Sequence, residues 1–163
     1  MKRQIRRAVR HEDRPRPATH LAPDITTIDE DVDGFRYLLL AIDRVTSYRW
    51  DYALSSREHT DISDCLQHLW TVLKTTLRTK PTHVECDNEF AQGEVASFMQ
   101  RHGVKIQPSA ARTQAQNGAA ERSGGVVITK ARAIRGNLPH YLCRNIVNAS
   151  VYLLNRIPAY SNR

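Results

Sequence analysis

Apolar residues in this chain follow three successive spacing patterns, and the order of those patterns constrains the fold more than any other feature. Phe35 to Asp43 is a nearly continuous apolar run, as in a central strand buried on both faces. Tyr48, Trp50, Tyr52 and Leu54 then alternate with Arg49, Asp51 and Ala53, which is strand period. Ile62, Cys65, Leu66, Leu69, Val72, Leu73 and Leu77 recur at helical spacing until Pro81. Thr60 is the expected N-cap of that helix, with Asp61 in its first turn.

On either side, the pattern extends to further elements. A short strand around Asp24-Ile25-Thr26 precedes the apolar run, and Asp29 to Gly34 reads as a solvated acidic turn ending in glycine. Thr82 to Cys86 and Val104 to Gln107 read as short strands flanking a helix from Val95 to His102. Ser109 to Gly118 is polar and reads as a mobile loop. Helices are expected from about Ala119 to Ile134 and from about Tyr141 to Leu154. A meander followed by strand–helix–strand–helix–strand argues for parallel pairing added to three antiparallel strands. The expected class is therefore α/β, a mixed five-stranded sheet flanked by helices.

Length and composition narrow the partners. The 163 residues suit one folded unit, read as residues 21–160, behind a basic Arg/Pro-rich linker or tail over residues 1–20. The longest apolar run, Tyr37 to Ile42, is too short to cross a bilayer, so no membrane partner is expected. No apolar signal core follows the basic N-terminus. Cys65, Cys86 and Cys143 are scattered and odd in number, which argues against a disulfide framework or a structural zinc site. Three buried or semi-buried thiols suit a reducing, intracellular compartment. The seven histidines show no metal-ligand spacing.

Charge is unevenly distributed. Residues 1–20 hold seven Lys/Arg against two acids, residues 21–100 seven against fourteen, and residues 101–163 ten against one. An acidic middle between basic flanks suggests a polyanion-binding protein that keeps its carboxylates for another purpose.

Three of those carboxylates fall where elements could converge. Asp24 is on the first strand, Asp87 follows the fourth, and Glu121 is near the start of the helix after the polar loop. Hard divalent cations take carboxylate oxygens from separate elements. Asp43, at the end of the second strand, reads rather as a turn cap. Local context adds to the case. His83 to Phe90 reads His-Val-Glu-Cys-Asp-Asn-Glu-Phe, and Thr113 to Arg122 reads Thr-Gln-Ala-Gln-Asn-Gly-Ala-Ala-Glu-Arg. The second stretch resembles the Gln-Asn-Gly-x-x-Glu-Arg segment of retroviral-type integrase cores, particularly those of copia-type LTR retrotransposons. The first resembles that family's Asp-Asn-Gly-x-Glu-Phe turn. Asp33 to Tyr37 with Ala41 to Arg44 looks like the family's second strand, and Tyr152 to Pro158 like its closing Tyr-Leu-x-Asn-Arg-x-Pro. The resemblance covers roughly residues 20–160.

That resemblance implies a ribonuclease H-like fold and a catalytic, metal-binding triad of Asp24, Asp87 and Glu121. It implies two Mg²⁺ or Mn²⁺ ions per site, 3′-end processing and DNA strand transfer. Element ends and target DNA would be the partners, with RNA held open by a ribonuclease H-type alternative. Family members act as multimers, so a homodimer or higher multimer is expected, working in the nucleus on host DNA. Gln116, Asn117, Arg122, Lys130, Arg132 and Arg135 are candidate nucleic-acid contacts. Helix capping for the first two, an ion pair for Arg122 and a solvated basic face for the rest are the plainer readings.

Several departures stand against the pattern. The turn after Asp87 is two residues short and lacks its glycine, leaving thirty-three residues before Glu121. Ser123-Gly124-Gly125 follows Glu121-Arg122, and two helical glycines cost about 2 kcal/mol against alanine. Gln114 replaces a family proline. These motivate a second reading, a catalytically decayed remnant that is at most a nucleic-acid-binding module.

Overall fold

The computed structural model describes residues 15–108 and 120–157, the side chains of residues 120–122 excepted. β1 (His20–Thr27), β2 (Tyr37–Asp43) and β3 (Arg49–Leu54) form an antiparallel meander. Helix α1 (His59–Thr76) leads to β4 (His83–Cys86), and α2 (Gly93–Arg101) to β5 (Lys105–Pro108). β4 lies parallel to β1 and β5 parallel to β4, giving the order β3-β2-β1-β4-β5. Helix α3 (Ala120–Arg135), a 3₁₀ turn (His140–Leu142) and α4 (Cys143–Leu154) complete the chain. The expected mixed sheet is thus the observed one.

Strand parity divides the interior into two layers. Leu21, Ile25, Leu39, Ala41, Val84 and Cys86 face α1 and α2, where Ile62, Leu66, Leu69, Leu73, Val95 and Met99 are buried. Leu38, Leu40 and Ile42 face the other way, against Val127 and Ala131 of α3 and Ile146, Val147 and Val151 of α4. β2 is therefore buried on both sides, as its unbroken apolar run requires.

Some expectations need correction. Thr60 is not the cap of α1, which begins at His59 behind Glu58. Ser56 supplies the local bonds instead: its Oγ accepts from the Glu58 N–H and donates to Asp61 Oδ2 at 2.7 Å. The acidic stretch from Asp29 is a turn, but not simply a solvated one. Asp31 is buried and accepts from the N–H groups of Asp33 and Phe35. Glu30 pairs with Arg36, Asp29 with Arg135 and Asp33 with Arg144. The last helix starts at Cys143, because the turn from Tyr141 is 3₁₀.

The far end of the chain ties back to the β3 edge. Asn155, just past α4, accepts from the Arg49 N–H at 2.9 Å and donates from Nδ2 to the Arg49 carbonyl at 2.8 Å. One side-chain amide thus replaces a neighbouring strand at that edge. Asn155→Ala should cost about 1–3 kcal/mol, the penalty for half-buried backbone groups left without partners. In urea unfolding the midpoint should fall while the slope holds.

Candidate active site

Two of the three expected acids lie on or next to neighbouring strands. Leu21 pairs with Val84 across the parallel β1–β4 ladder. Three residues further along each chain come Asp24, within β1, and Asp87, just past the end of β4. Leu21 and Ile25 face α1 and α2, as do Val84 and Cys86. Alternation turns Asp24 to the opposite face, the one covered by α3. Asp87 follows the C-terminal end of β4, where open α/β sheets bind their ligands. Both acids are half-buried.

Helix α3 approaches Asp24 closely. A Cβ built on Gly124 would lie 2.9 Å from Thr26 Oγ1 and 3.5 Å from Asp24 Oδ2. Gly124 is thus the point where helix and strand nearly touch, and no side chain fits there. Position 121 is one turn earlier in the same helix, at the i,i+3 spacing that shares a helix face. Gly125, by contrast, has open space around its Cα. The glycine pair therefore splits into one position demanded by packing and one that is not.

Arg49 fastens the helix from the other side. Its Nε donates to Ser123 Oγ at 2.8 Å, and its NH1 donates to the Ser47 carbonyl at 3.0 Å. Burial lowers the pKa of this half-buried guanidinium. Asn155, Arg49 and Ser123 form a continuous linkage from the last helix to the start of α3. Sequence reasoning assigned Arg49 no role beyond the polar side of an alternating strand. Its partners are 74 and 106 residues away, so no local signal could have found it.

The shortened turn after Asp87 closes without strain. Asp87 Oδ1 accepts from the Glu89 N–H at 3.1 Å. Phe90 is fully buried, and Arg57 grips both carboxylate oxygens of Glu89. The Glu89 hydrogen bond, with the charges of Glu89 and Asp87, raises the Arg57 pKa against desolvation. No residue from Asp87 to Gln92 has positive φ; Gly93, at φ +62°, takes the left-handed position. The missing family glycine is therefore not needed at this turn.

Other candidates vary. Asp43 is buried and accepts from the N–H groups of Val45 and Thr46 and from Thr46 Oγ1 at 2.6 Å, the turn-capping role expected of it. Arg135 donates to Asp29 Oδ2 at 3.3 Å and to the His140 ring. Arg132 is exposed and Lys130 half-buried, and neither forms an ion pair among the described residues. Gln116 and Asn117 lie outside the described residues, and the side chains of Glu121 and Arg122 are likewise not described. Among the described residues no group of three or more metal-ligating side chains is gathered. Burial pushes the Cys65 thiol up to about 11 and Cys86 to about 12, and raises Cys143, so none is poised as a nucleophile near neutral pH.

Comparisons with known proteins agree with this fold. A retrovirus-related Pol polyprotein from transposon RE2 of Arabidopsis thaliana is 22% identical over 129 residues. That alignment takes in 78% of this chain but only 9% of the polyprotein, so the chain spans about a tenth of the length of that relative. Among solved structures, a chain of the simian T-cell lymphotropic virus intasome in complex with the PP2A regulatory subunit B56 gamma superposes with a TM-score of 0.72. It is 16% identical, over 90% of this chain and 51% of that one. The HTLV-2 integrase catalytic core domain, in complex with magnesium and in trimeric form, gives 0.62 at 20% identity over 90% of each chain. The BIV integrase catalytic core gives 0.66 at 12% identity over 88% of each. These likenesses establish the ribonuclease H-like fold. Residues 14–114, which include Asp24 and Asp87, match the family model described as integrase core domain, and the chain belongs to that family.

Proposed function

We propose that this chain is the integrase core of a retrotransposon polyprotein, catalysing 3′-end processing and strand transfer with Asp24, Asp87 and Glu121. The observation that carries this reading is the close approach of the helix that bears Glu121 to Asp24 at Gly124, with Asp87 just past the strand that pairs parallel to β1. Carboxylates from three separate elements are the donor set that Mg²⁺ or Mn²⁺ takes. The three acids would hold two such ions, whose charge would assist attack by water or a 3′-hydroxyl and the departure of the leaving oxygen.

The remaining roles belong to the protein's own groups. Asp24 is held by a strand paired on both sides. Asp87 is held by its bond from the Glu89 N–H, with Glu89 in turn clamped by Arg57. The Gly124 approach and the Arg49–Ser123 bond keep the first turns of α3 down on β1. Lys130 and Arg132 are suited to phosphate contact, and Gln116, Asn117 and Arg122 are the further candidates for the same DNA. Arg135 is the weaker candidate, since Asp29 and His140 occupy it. The trimeric form of the HTLV-2 core supports a multimeric state here too, acting in the compartment that holds host DNA.

The test is a joining assay. The full chain is incubated with a duplex oligonucleotide ending as an element end and a supercoiled target, in Mg²⁺ or Mn²⁺. Metal-dependent products with the oligonucleotide 3′ end joined to the target are expected. Binding without nicking or joining would favour the decayed-remnant reading. Cleavage confined to RNA–DNA hybrids would assign a ribonuclease H-type nuclease instead.

A further inference from the structure

Arg36, Arg44, Arg57, Arg135 and Arg144 each pair with an aspartate or glutamate. Other cations gather in one concavity without such a partner among the described residues. A pocket of about 740 Å³ between the C-terminal ends of α1 and α2 is lined by Lys74, Arg78, Lys80, Arg101 and His102. No aspartate or glutamate lines it. All four Lys/Arg side chains are exposed, and none forms an ion pair among the described residues.

Helix dipoles do not account for this gathering. Lys74 and Arg101 lie in the last turns of α1 and α2, where a cation is favourable. Arg78 and Lys80 lie beyond the end of α1. Two helix ends offer about one negative charge in total, against four full positive charges. A positive excess of about three stays concentrated in one concavity. Like charges brought together repel, so the arrangement is relieved by an external anion.

We infer that this pocket is a second nucleic-acid contact, one that grips the phosphate backbone on the face of the sheet opposite α3. The lining favours a backbone over an acidic protein. Gln67 and Thr79 add neutral donors among the cations, the mix that positions phosphates and sugars. Beside the His102 ring, the wall offers one large aromatic side chain, Trp70, which is 7% exposed and packed edge-on to Phe98. A protein partner would need apolar anchor pockets for its own hot-spot residues. The Trp70 indole N–H is itself buried without a partner. The pocket is distant in topology from the acids: it borders the turn entering β4, whereas Asp87 leaves the other end of that strand. The inference rests on the protein being a nucleic-acid enzyme, but not on the triad assignment.

The experiment reads binding alone. Fluorescence anisotropy of a duplex oligonucleotide with the full chain in EDTA, over a KCl series, gives the slope of log K against log salt. Each phosphate released from contact lowers that slope by about 0.9. Lys74→Ala/Lys80→Ala/Arg101→Ala should flatten it by about 2–3, and Lys80→Ala alone by about 1. The charge-preserving set Lys74→Arg/Lys80→Arg/Arg101→Lys should retain the wild-type slope, and circular dichroism should show all variants folded. Binding is read without divalent metal, so failure of the triad would not imitate failure of this site. An unaltered slope in the triple variant and in Lys80→Ala would overturn the inference. So would binding of polyglutamate that the triple variant loses while its duplex slope stays the same.

Discussion

Asp87→Asn should lower metal-dependent strand transfer by at least about 100-fold while the protein stays folded. The two effects separate because the substitution keeps shape and removes charge. Asn retains an Oδ1 that can accept from the Glu89 N–H, as Asp87 does now at 3.1 Å. Phe90 remains buried and Arg57 still holds Glu89, so the turn loses none of its anchors. What is lost is one anionic donor to a divalent cation. A bound ion contributes several kcal/mol to a phosphoryl-transfer transition state. Losing about 3 kcal/mol of that is a factor of more than 100 in rate. Glu121→Gln should behave alike. A second readout needs no DNA: saturating Mg²⁺ should raise the wild-type melting temperature, because a ligand that binds the native state stabilises it. That rise should vanish in Asp87→Asn. Full joining activity in either variant would remove the triad.

Gly124→Ala and Gly125→Ala should act in opposite directions, although both replace a helical glycine by the best helix former. Propensity alone favours each alanine by about 1 kcal/mol. Gly125 has nothing within 4 Å of a built Cβ, so its alanine variant should gain about 0.5–1 kcal/mol. At Gly124 the new methyl would meet Thr26 Oγ1 at 2.9 Å and Asp24 Oδ2 at 3.5 Å. Threonine is stiff at χ1, and Thr26 is held in a strand paired with β2. The relief left is for α3 to lift from β1, and overpacking of that kind costs about 1–3 kcal/mol. Activity should fall further than stability, by about 10–100-fold, because a displacement under 1 Å moves position 121 relative to Asp24. Thr26→Ala, which deletes the opposing hydroxyl, should restore part of both losses in the Gly124→Ala background. Equal stabilisation by the two alanines would refute the close approach.

The same glycine pair shows where sequence reasoning stops. Read along the chain, Gly124-Gly125 looks like damage to a helix one turn after its acid. Read in space, Gly124 lets that helix seat on the strand bearing Asp24, and only Gly125 is a plain loss. The turn after Asp87 is similar. A two-residue deletion looks like a broken motif, yet the turn closes with ordinary backbone angles and passes its left-handed position to Gly93. Asp31 went the other way. It reads as one solvated acid among several, but it is the buried acceptor that organises its turn. In each case the deciding neighbour is an atom that no local pattern names.

The order of elements, the double burial of β2 and the helical period of α1 were all determined by the sequence itself. Periodicity of two or 3.6 residues records which side of an element meets the core, and that information is local. Tertiary structure alone decided that Gly124 seats α3 against Asp24, that Asn155 closes the β3 edge, and that four cations share one pocket without a counter-ion among the described residues. These depend on contacts between residues tens of positions apart. Their geometry follows from how whole layers pack, and a one-dimensional pattern carries no distance.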